Sequence, residues 1–209
     1  MKTLREILIH ANSLLDLEAA LPTGTELNLR SSFADRAVWD AAATGQLKEF
    51  KRLYETSITT PTLATLPLPT DFREFQDVPK IYSGGSWNDY EEIKPEDKYS
   101  RSEGERYCYV LGTPGNYNLI LNSPLVGTFS TVYQRFPSGL LTLSDRCELP
   151  DPMYVVTKVE SYVLQGRGDD RFPFINSQAE QRLLNMMGRG MKNPGGGVNT
   201  TPTPYNPLS

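Results

Sequence analysis

The segment Leu66–Val78 constrains the fold of this chain more than any other, because its sequence is Leu-Pro-Leu-Pro-Thr-Asp-Phe-Arg-Glu-Phe-Gln-Asp-Val. Pro67 and Pro69 each remove a backbone donor and keep the preceding residue out of the α-helical region. The chain is therefore expected to run extended here, at a sheet edge or at a boundary between elements. Beyond the prolines, Thr70 or Asp71 can cap a single turn.

The same segment carries apolar residues at a spacing of three. Phe72, Phe75 and Val78 can meet one apolar surface, and Leu66 precedes them. Helical patterns lie before this segment and strand patterns lie after it. We therefore predict that Leu66, Phe72 and Phe75 form a subdomain junction, in which the two aromatic rings seat a β part on a helical part.

The residues before the junction have the apolar spacing of helices. Thr3–Asp16 is predicted to be an amphipathic helix that begins with a Thr3/Glu6 capping box. After a turn at Leu21–Gly24 and a polar segment, Ser32 with Asp35 indicates the start of a second helix. Helical spacing continues through Ala34, Ala37, Val38, Ala41, Leu47, Phe50, Leu53 and Tyr54. Gly45 either separates two helices or lies inside one long helix, and the pattern leaves both open.

The middle of the chain has the composition of strands. Tyr107–Leu111, Tyr117–Leu121 and Thr128–Phe136 are rich in aromatic and β-branched residues and are separated by turn residues. They predict a meander or a small antiparallel sandwich. The charged segment Asn88–Gly104 is expected to be an exposed loop.

Helical spacing returns after Leu149. Asp151 with Pro152 predicts a helix start, and a final helix is expected to end at Gly188 after a loop at Gly166–Arg171. The sequence thus predicts an α+β fold in which a discontinuous helical bundle carries an inserted antiparallel β domain and an extended C-terminal tail. The predicted boundaries are 1–56 and 150–189 for the bundle, 57–149 for the β domain and 190–209 for the tail.

The tail, Gly190–Ser209, is rich in glycine and proline and has few apolar residues, so it is not expected to fold alone. Two interpretations remain open at this point. The tail is either a dispensable terminus, which composition favours, or a peptide that becomes ordered in a partner's groove.

Neither composition nor motifs indicate catalysis. The net charge of −4 argues against a protein that grips nucleic acid. His10 is the sole histidine and is expected on the polar face of its helix, while Cys108 and Cys147 are predicted to be reduced and packed. The adjacent carboxylates Glu91/Glu92 and Asp169/Asp170 are expected in solvent. We therefore predict no catalytic, cofactor or metal site. We also expect no signal peptide and no membrane span, because polar residues interrupt the N-terminal apolar run.

The order of these parts resembles the head-to-tail adaptor, connector or neck, family of tailed bacteriophages, of the podovirus type related to the tubular tail protein. Leu66-Pro67-Leu68-Pro69-Thr70-Asp71-Phe72 is similar to the Leu-Pro-x-Asp-Phe motif that opens the family's β part. The aromatic strands around Tyr107-Cys108-Tyr109 and Tyr117-Asn118-Leu119 follow. Val155–Leu164, a Gly-Arg-Gly-Asp-Asp loop and Gln178–Met187 are similar to its closing helical pair. Asn88–Gly104 departs from the family pattern.

The resemblance implies a structural protein without catalysis. It implies a homo-oligomeric ring, a dodecamer, that docks on the portal protein, contacts a tail or nozzle protein and lets DNA pass without specific binding. Its place would be the virion neck, after assembly in the host cytoplasm. The resemblance also makes the tail a portal-docking arm, with anchors at Val198, Tyr205, Pro207, Leu208 and Ser209.

Two other classes compete with this interpretation. A small β-sandwich hydrolase or carbohydrate-binding module would need a converging carboxylate pair, or a platform of Trp87, Tyr90 and Tyr99 that stacks on sugars. A different virion part, such as a tail-completion or fibre-attachment protein, would share most of the same features.

Overall fold

The computed structural model describes residues 1–15, 19–60, 65–102 and 104–190, and within them the fold is α+β, as the sequence predicts. The elements are α1 (Leu4–Leu14), α2 (Gly24–Ala43), β1 (Lys51–Ile58), β2 (Thr65–Pro67), β3 (Phe72–Phe75), β4 (Lys80–Ser83), β5 (Ser86–Asp89), β6 (Glu91–Glu92), β7 (Tyr107–Thr113), β8 (Asn116–Leu121), β9 (Gly127–Arg135), α3 (Pro152–Arg167) and α4 (Phe172–Gly190). Two 3-10 helices, Lys48–Phe50 and Pro95–Ser100, lie between them.

The predicted first helix is confirmed, together with its capping box. Thr3 Oγ1 accepts a hydrogen bond from the Glu6 backbone N–H at 3.3 Å, and Glu6 Oε2 accepts one from the Thr3 backbone N–H at 2.7 Å. The apolar face of α1 is buried, although Leu14 at its end is 39% exposed. These caps satisfy donors that the first turn leaves without helical partners.

The second helix begins at Gly24, so the prediction of a start near Ser32 is wrong. The polar composition of the first turns indicated a loop, but these residues are held by side-chain contacts. Arg30 is only 1% exposed, since its guanidinium binds Asn12 Oδ1 of α1 and, one turn back, the Glu26 carboxylate. An ion pair at this spacing supports a helix, and the contact with α1 adds tertiary support.

Between Gly45 and β1 the chain forms only the 3-10 helix Lys48–Phe50, and the helix predicted through Leu53 and Tyr54 is wrong. Gly45 has φ +70° after the end of α2, and β1 begins at Lys51, inside the segment 1–56 assigned to the helical part. β1 pairs with β9 along its whole length. Pairing with a distant strand therefore determines the conformation here, and Leu53 is left 62% exposed.

The strands form two sheets with an apolar core between them. Of the two predicted arrangements, the structure therefore matches the sandwich and not the meander. One sheet has the order β1-β9-β4-β5, with β3 also paired to β9, and the other has the order β2-β8-β7-β6. All pairs are antiparallel except β6–β7, which is parallel. The buried residues of this core come from both sheets: Ile58, Leu66, Leu68, Phe72, Ile81, Tyr90, Cys108, Leu119, Leu121, Phe129 and Tyr133.

The charged segment Asn88–Gly104 is more structured than the predicted loop. It contains the end of β5, all of β6 and the second 3-10 helix. Tyr90 is fully buried in the core between the sheets, and its hydroxyl donates to the Ser123 carbonyl at 3.0 Å. A single aromatic residue among exposed charges thus anchors the segment.

The helices share a second apolar core, in which α3 contacts α1, α2 and α4. The predicted start of α3 is confirmed, because Asp151 Oδ1 accepts a hydrogen bond from the Met153 backbone N–H at 3.0 Å and Pro152 occupies the first position. α3 ends at Arg167 and is capped by Gly168, whose φ is +66°. α4 runs on to Gly190, beyond the predicted end at Gly188. No helix of the described residues is long and apolar enough to cross a bilayer.

Replacement of Phe72 by alanine is expected to lower the free energy of unfolding by about 3–5 kcal/mol, because the ring is buried and leaves a cavity. Chemical denaturation followed by circular dichroism measures this loss. Phe174→Ala removes a ring that is 66% exposed and should change stability by less than about 0.5 kcal/mol. Equal stability of the wild type and the Phe72 variant would contradict the prediction.

Candidate partner-binding surfaces and the interdomain junction

The residues predicted to seat the β part on the helices lie together in the core between the two sheets. The Phe72 ring is 4.9 Å from the Phe75 ring, 5.8 Å from the Tyr117 ring and 5.7 Å from the Tyr133 ring, measured between centroids. Leu66 is 4% exposed in the same core, whereas Val78 is 54% exposed. Phe72–Phe75, where a single helical turn was predicted, forms strand β3. This cluster therefore joins one sheet to the other.

The contact between helices and sheets is built by polar side chains, which sequence reasoning missed. We call it the polar junction. It consists of the side chains of Arg73, Gln134, Arg135 and Glu148 and the backbone carbonyl of Ala42. The Gln134 amide donates to the Ala42 carbonyl near the end of α2, and Arg73 Nη1 donates to the same oxygen at 3.2 Å. Carbonyls in the last turn of a helix have no helical partner. Side chains from β9 and β3 therefore cap α2 where it meets the sheets.

Gly45 brings the chain close to this cap. Its φ of +70° favours glycine, and a Cβ placed there would lie 3.3 Å from Gln134 Oε1. Gln134 itself is 1% exposed, and its Oε1 accepts a hydrogen bond from Gln76 Nε2 at 3.4 Å. The turn after α2 and the end of β9 are thus fitted to one another.

Arg135 and Glu148 form the other half of the polar junction. Arg135 Nη2 is 3.0 Å from Glu148 Oε1, and the guanidinium lies 5.5 Å from the centre of the Phe50 ring. Partial burial disfavours the charged form of Glu148. Hydrogen bonds from Arg135 and from the backbone N–H and hydroxyl of Ser138 outweigh burial and hold the pKa of Glu148 below its ordinary value. The carboxylate is therefore charged at neutral pH and links the segment before α3 to β9.

The titratable residues singled out in the sequence make local contacts. His10 Nδ1 lies 2.7 Å from Lys2 Nζ, and burial followed by the Lys2 charge lowers the pKa of His10. Asp169 accepts hydrogen bonds from Arg171, which hold the pKa of Asp169 below its usual range, and Asp170 is exposed. These contacts stabilise the first helix and the α3–α4 loop.

The remaining acidic and sulfur groups are also separated. Glu91 forms a bidentate ion pair with Arg101, and Glu92 is exposed. Cys108 and Cys147 are free and buried, and burial raises their pKa values to about 12 and about 11. Within the described ranges, no three His, Cys, Asp or Glu side chains are arranged to hold a metal ion.

The proposed sugar platform is not assembled. Trp87 and Tyr99 are 49% and 85% exposed, but Tyr90 lies in the core between the sheets with no exposed surface. Trp87 packs instead on Tyr82, with 5.2 Å between ring centroids, and Lys80 Nζ lies 4.9 Å from its ring. An aromatic surface made of those three residues would require Tyr90 to leave the core.

A cavity of about 210 Å³ opens between α2 and α3. It is lined by Glu26, Leu29, Phe33, Tyr162, Val163, Gly166 and Arg167. Tyr162 is fixed in its wall, since its hydroxyl donates to Asp40 Oδ2 at 2.7 Å and its ring lies 5.1 Å from the Arg36 guanidinium. The cavity is small, with an ion-pairing Glu26 and Arg167 at one side.

One exposed stripe of α4 carries no charged side chain, while the exposed Glu180 lies beside it and pairs with Lys158 of α3. Its outward positions recur at helical spacing and are Phe174, Gln178, Gln181, Leu184 and Gly188. Phe174 and Leu184 are 66% and 55% exposed. Depletion of charge around exposed apolar residues is typical of protein interfaces. The predicted arm residues Val198, Tyr205, Pro207, Leu208 and Ser209 follow this helix in the sequence and lie outside the described residues.

Comparison with known proteins assigns no family: no protein-family model matches the chain, and no curated protein matches its sequence.

The contact between Glu148 and Arg135 is expected to make the free energy of unfolding depend on pH in the acidic range. Because its pKa is depressed in the fold, the contribution is complete above the unfolded value of about 4.5 and is lost as pH falls through the lower folded value. Glu148→Gln removes this titration, so its stability curve should fall less steeply below pH 4.5 than that of the wild type. Urea denaturation at several pH values measures the slopes, and Glu96→Gln, at an exposed carboxylate, is the control. Parallel curves for the wild type and the Glu148 variant would contradict the assignment.

Gln134→Ala is expected to lower the free energy of unfolding by about 0.5–1.5 kcal/mol, because it removes one buried hydrogen bond to the Ala42 carbonyl, which keeps those from Arg73 and from the Gly45 N–H. Gln178→Ala removes an exposed amide and should have an effect below about 0.5 kcal/mol. Amide hydrogen exchange would add a local readout, with the larger loss of protection at the last turn of α2. Unchanged protection there would argue against the capping role.

Proposed function

We propose that this chain is a structural virion protein, a head-to-tail adaptor that forms a ring, docks on the portal and connects the capsid to the tail. The ring leaves a channel through which DNA passes. The protein acts by assembly and has no catalytic step. Its place is the neck of the virion, and it is made in the host cytoplasm before assembly.

The observation that carries this proposal is the core that the first and last helices share. Leu4, Ile7 and Ala37 of α1 and α2 belong to the same buried cluster as Tyr154, Val159 and Ala179 of α3 and α4. The nine strands of the described residues lie between α2 and α3 in the sequence. We take the helices as one discontinuous bundle and the two sheets as its inserted β domain. This is the architecture that the resemblance to phage adaptors implies.

Charge supports a conduit for DNA more than a DNA-binding protein. The net charge is −4. A ring of twelve such chains multiplies that charge, and a net negative assembly repels the phosphates of DNA. DNA would then move through the channel without specific contacts.

The surface of α4 supports assembly with other proteins. Its uncharged stripe from Phe174 to Gly188 offers apolar and amide groups to a neighbour. The predicted arm, residues 190–209, follows this helix in the sequence. Prolines reduce the entropy lost when such a segment becomes extended, and Val198, Tyr205 and Leu208 supply spaced anchors. We propose that the arm binds the portal.

The proposal is tested with the portal ring from the same source. Mixed with that ring, the full chain should co-sediment with it, and cryo-electron microscopy should show a ring of adaptor copies seated on the portal. A chain truncated after Gly190 should lose most of this binding while keeping its melting temperature, because a segment that becomes ordered only on binding adds no stability to the free fold.

Matched variants make the portal experiment specific. Tyr205→Ala with Leu208→Ala should weaken co-sedimentation at least about tenfold if these two residues are anchors. Thr201→Ala with Thr203→Ala changes the same arm and should bind normally. A full chain that binds a tail protein and ignores the portal would identify a tail-completion protein and overturn the adaptor proposal.

A further inference from the structure

β1 is an outer strand of the larger sheet and is long for an edge. It pairs with β9 over eight residues, from Lys51 opposite Gln134 to Ile58 opposite Gly127. The sheet order places no described strand on its other side. In the described ranges its backbone groups bond only to β9, except at Lys51, whose N–H donates to the Lys48 carbonyl and whose carbonyl accepts from Arg52 Nη1 at 3.3 Å. An edge of this kind is a template for another strand, and proteins commonly cover or block it.

The two faces of β1 differ. Thr56 lies opposite the fully buried Phe129, so Tyr54, Thr56 and Ile58 face the core between the sheets. The alternate residues Lys51, Leu53 and Glu55 face the other way. Leu53 is 62% exposed, and within the described chain neither Lys51 nor Glu55 forms an ion pair. An exposed leucine thus sits between a positive and a negative residue, two positions from each.

We propose that two copies of this chain pair through β1, antiparallel and about a two-fold axis at Leu53, to give a dimer with one continuous sheet. In this register Leu53 faces Leu53 of the second copy, and each Lys51 faces the other copy's Glu55. Directly opposed residues in antiparallel strands have Cβ atoms about 4.5–5.5 Å apart, which is contact distance for both kinds of pair. The strand is therefore complementary to itself in charge and in apolar contact.

Strand length favours a second β1 as the occupant. The other strands that have a single partner, β2, β3, β5 and β6, have three, four, four and two residues. In the proposed register residues 51–55 of the two copies face one another, and among these single-partner strands only another β1 is long enough to cover those five residues. The contact is isologous, whereas a cyclic ring is built from heterologous contacts, so this dimer is a property of the free chain and does not rest on the adaptor proposal.

Charge reversal tests the register on the full-length free chain. Lys51→Glu places two glutamates opposite each other at both pairs, and Glu55→Lys places two lysines there. Each variant alone should dimerise at least about tenfold more weakly than the wild type in sedimentation velocity, because directly opposed like charges repel. An equimolar mixture of the two variants should recover the dimer, because every pair then joins a glutamate to a lysine. The double variant Lys51→Glu with Glu55→Lys should recover it by itself.

A cysteine at the two-fold axis gives a second measurement that does not depend on affinity. Leu53→Cys should form a disulfide-linked dimer under mild oxidation, since the same position meets itself across the axis, while Cys108 and Cys147 are buried. Leu141→Cys, at a position 79% exposed elsewhere on the chain, is the matched control and should not form the disulfide-linked dimer. A monomeric wild type at all concentrations, a mixture of charge variants that stays monomeric, or equal cross-linking at positions 53 and 141 would each overturn the proposal.

Discussion

The fold depends on the burial of α3. Ten of its residues are buried, and it packs against α1, α2 and α4. Its valines would favour a strand in isolation, but that preference is worth at most about 0.7 kcal/mol per residue. Complete burial of a valine contributes about 1.5–3 kcal/mol. The helix therefore exists because other helices surround it, and the chain must return from the sheets before the helical core can close.

Local signals in the sequence predicted the elements that local contacts determine. The Thr3/Glu6 box and the Asp151 cap act within three residues, and both hold in the structure. The strands around Tyr107, Tyr117 and Thr128 were also predicted, because their composition and turns are distinctive. β1 was not, because Leu47, Phe50 and Leu53 have helical spacing while β9, far along the chain, determines the conformation. The prediction for the first turns of α2 was wrong for a similar reason, since the Arg30 guanidinium is buried against Asn12 of another helix.

The difference between local and distant contacts also explains why the predicted subdomain junction was found in the sequence and the polar junction was not. Leu66 and Phe72 could be recognised as buried from their apolar pattern, but the pattern does not say which surface they meet. Gln134 and Arg135 could not be recognised, since glutamine and arginine are exposed by default. They are buried because the end of α2 presents the Ala42 carbonyl and the segment before α3 presents Glu148. The uncharged residues of α4 recur at helical spacing in the sequence, but only the structure shows that this side of the helix faces outward.

The position of β9 fixes an order of events during synthesis. β1 leaves the ribosome before strands β2 to β8, yet its hydrogen-bonding partner is the last strand made. The N-terminal residues wait longer still, because the backbone N–H of Leu4 bonds to the Asp145 carbonyl and that of Cys147 to the Lys2 carbonyl. Contacts this far apart in sequence slow folding. While residues 59–135 are synthesised, the nascent chain therefore carries a β1 segment with both edges unpaired, and one of the two is covered only when residues 127–135 emerge.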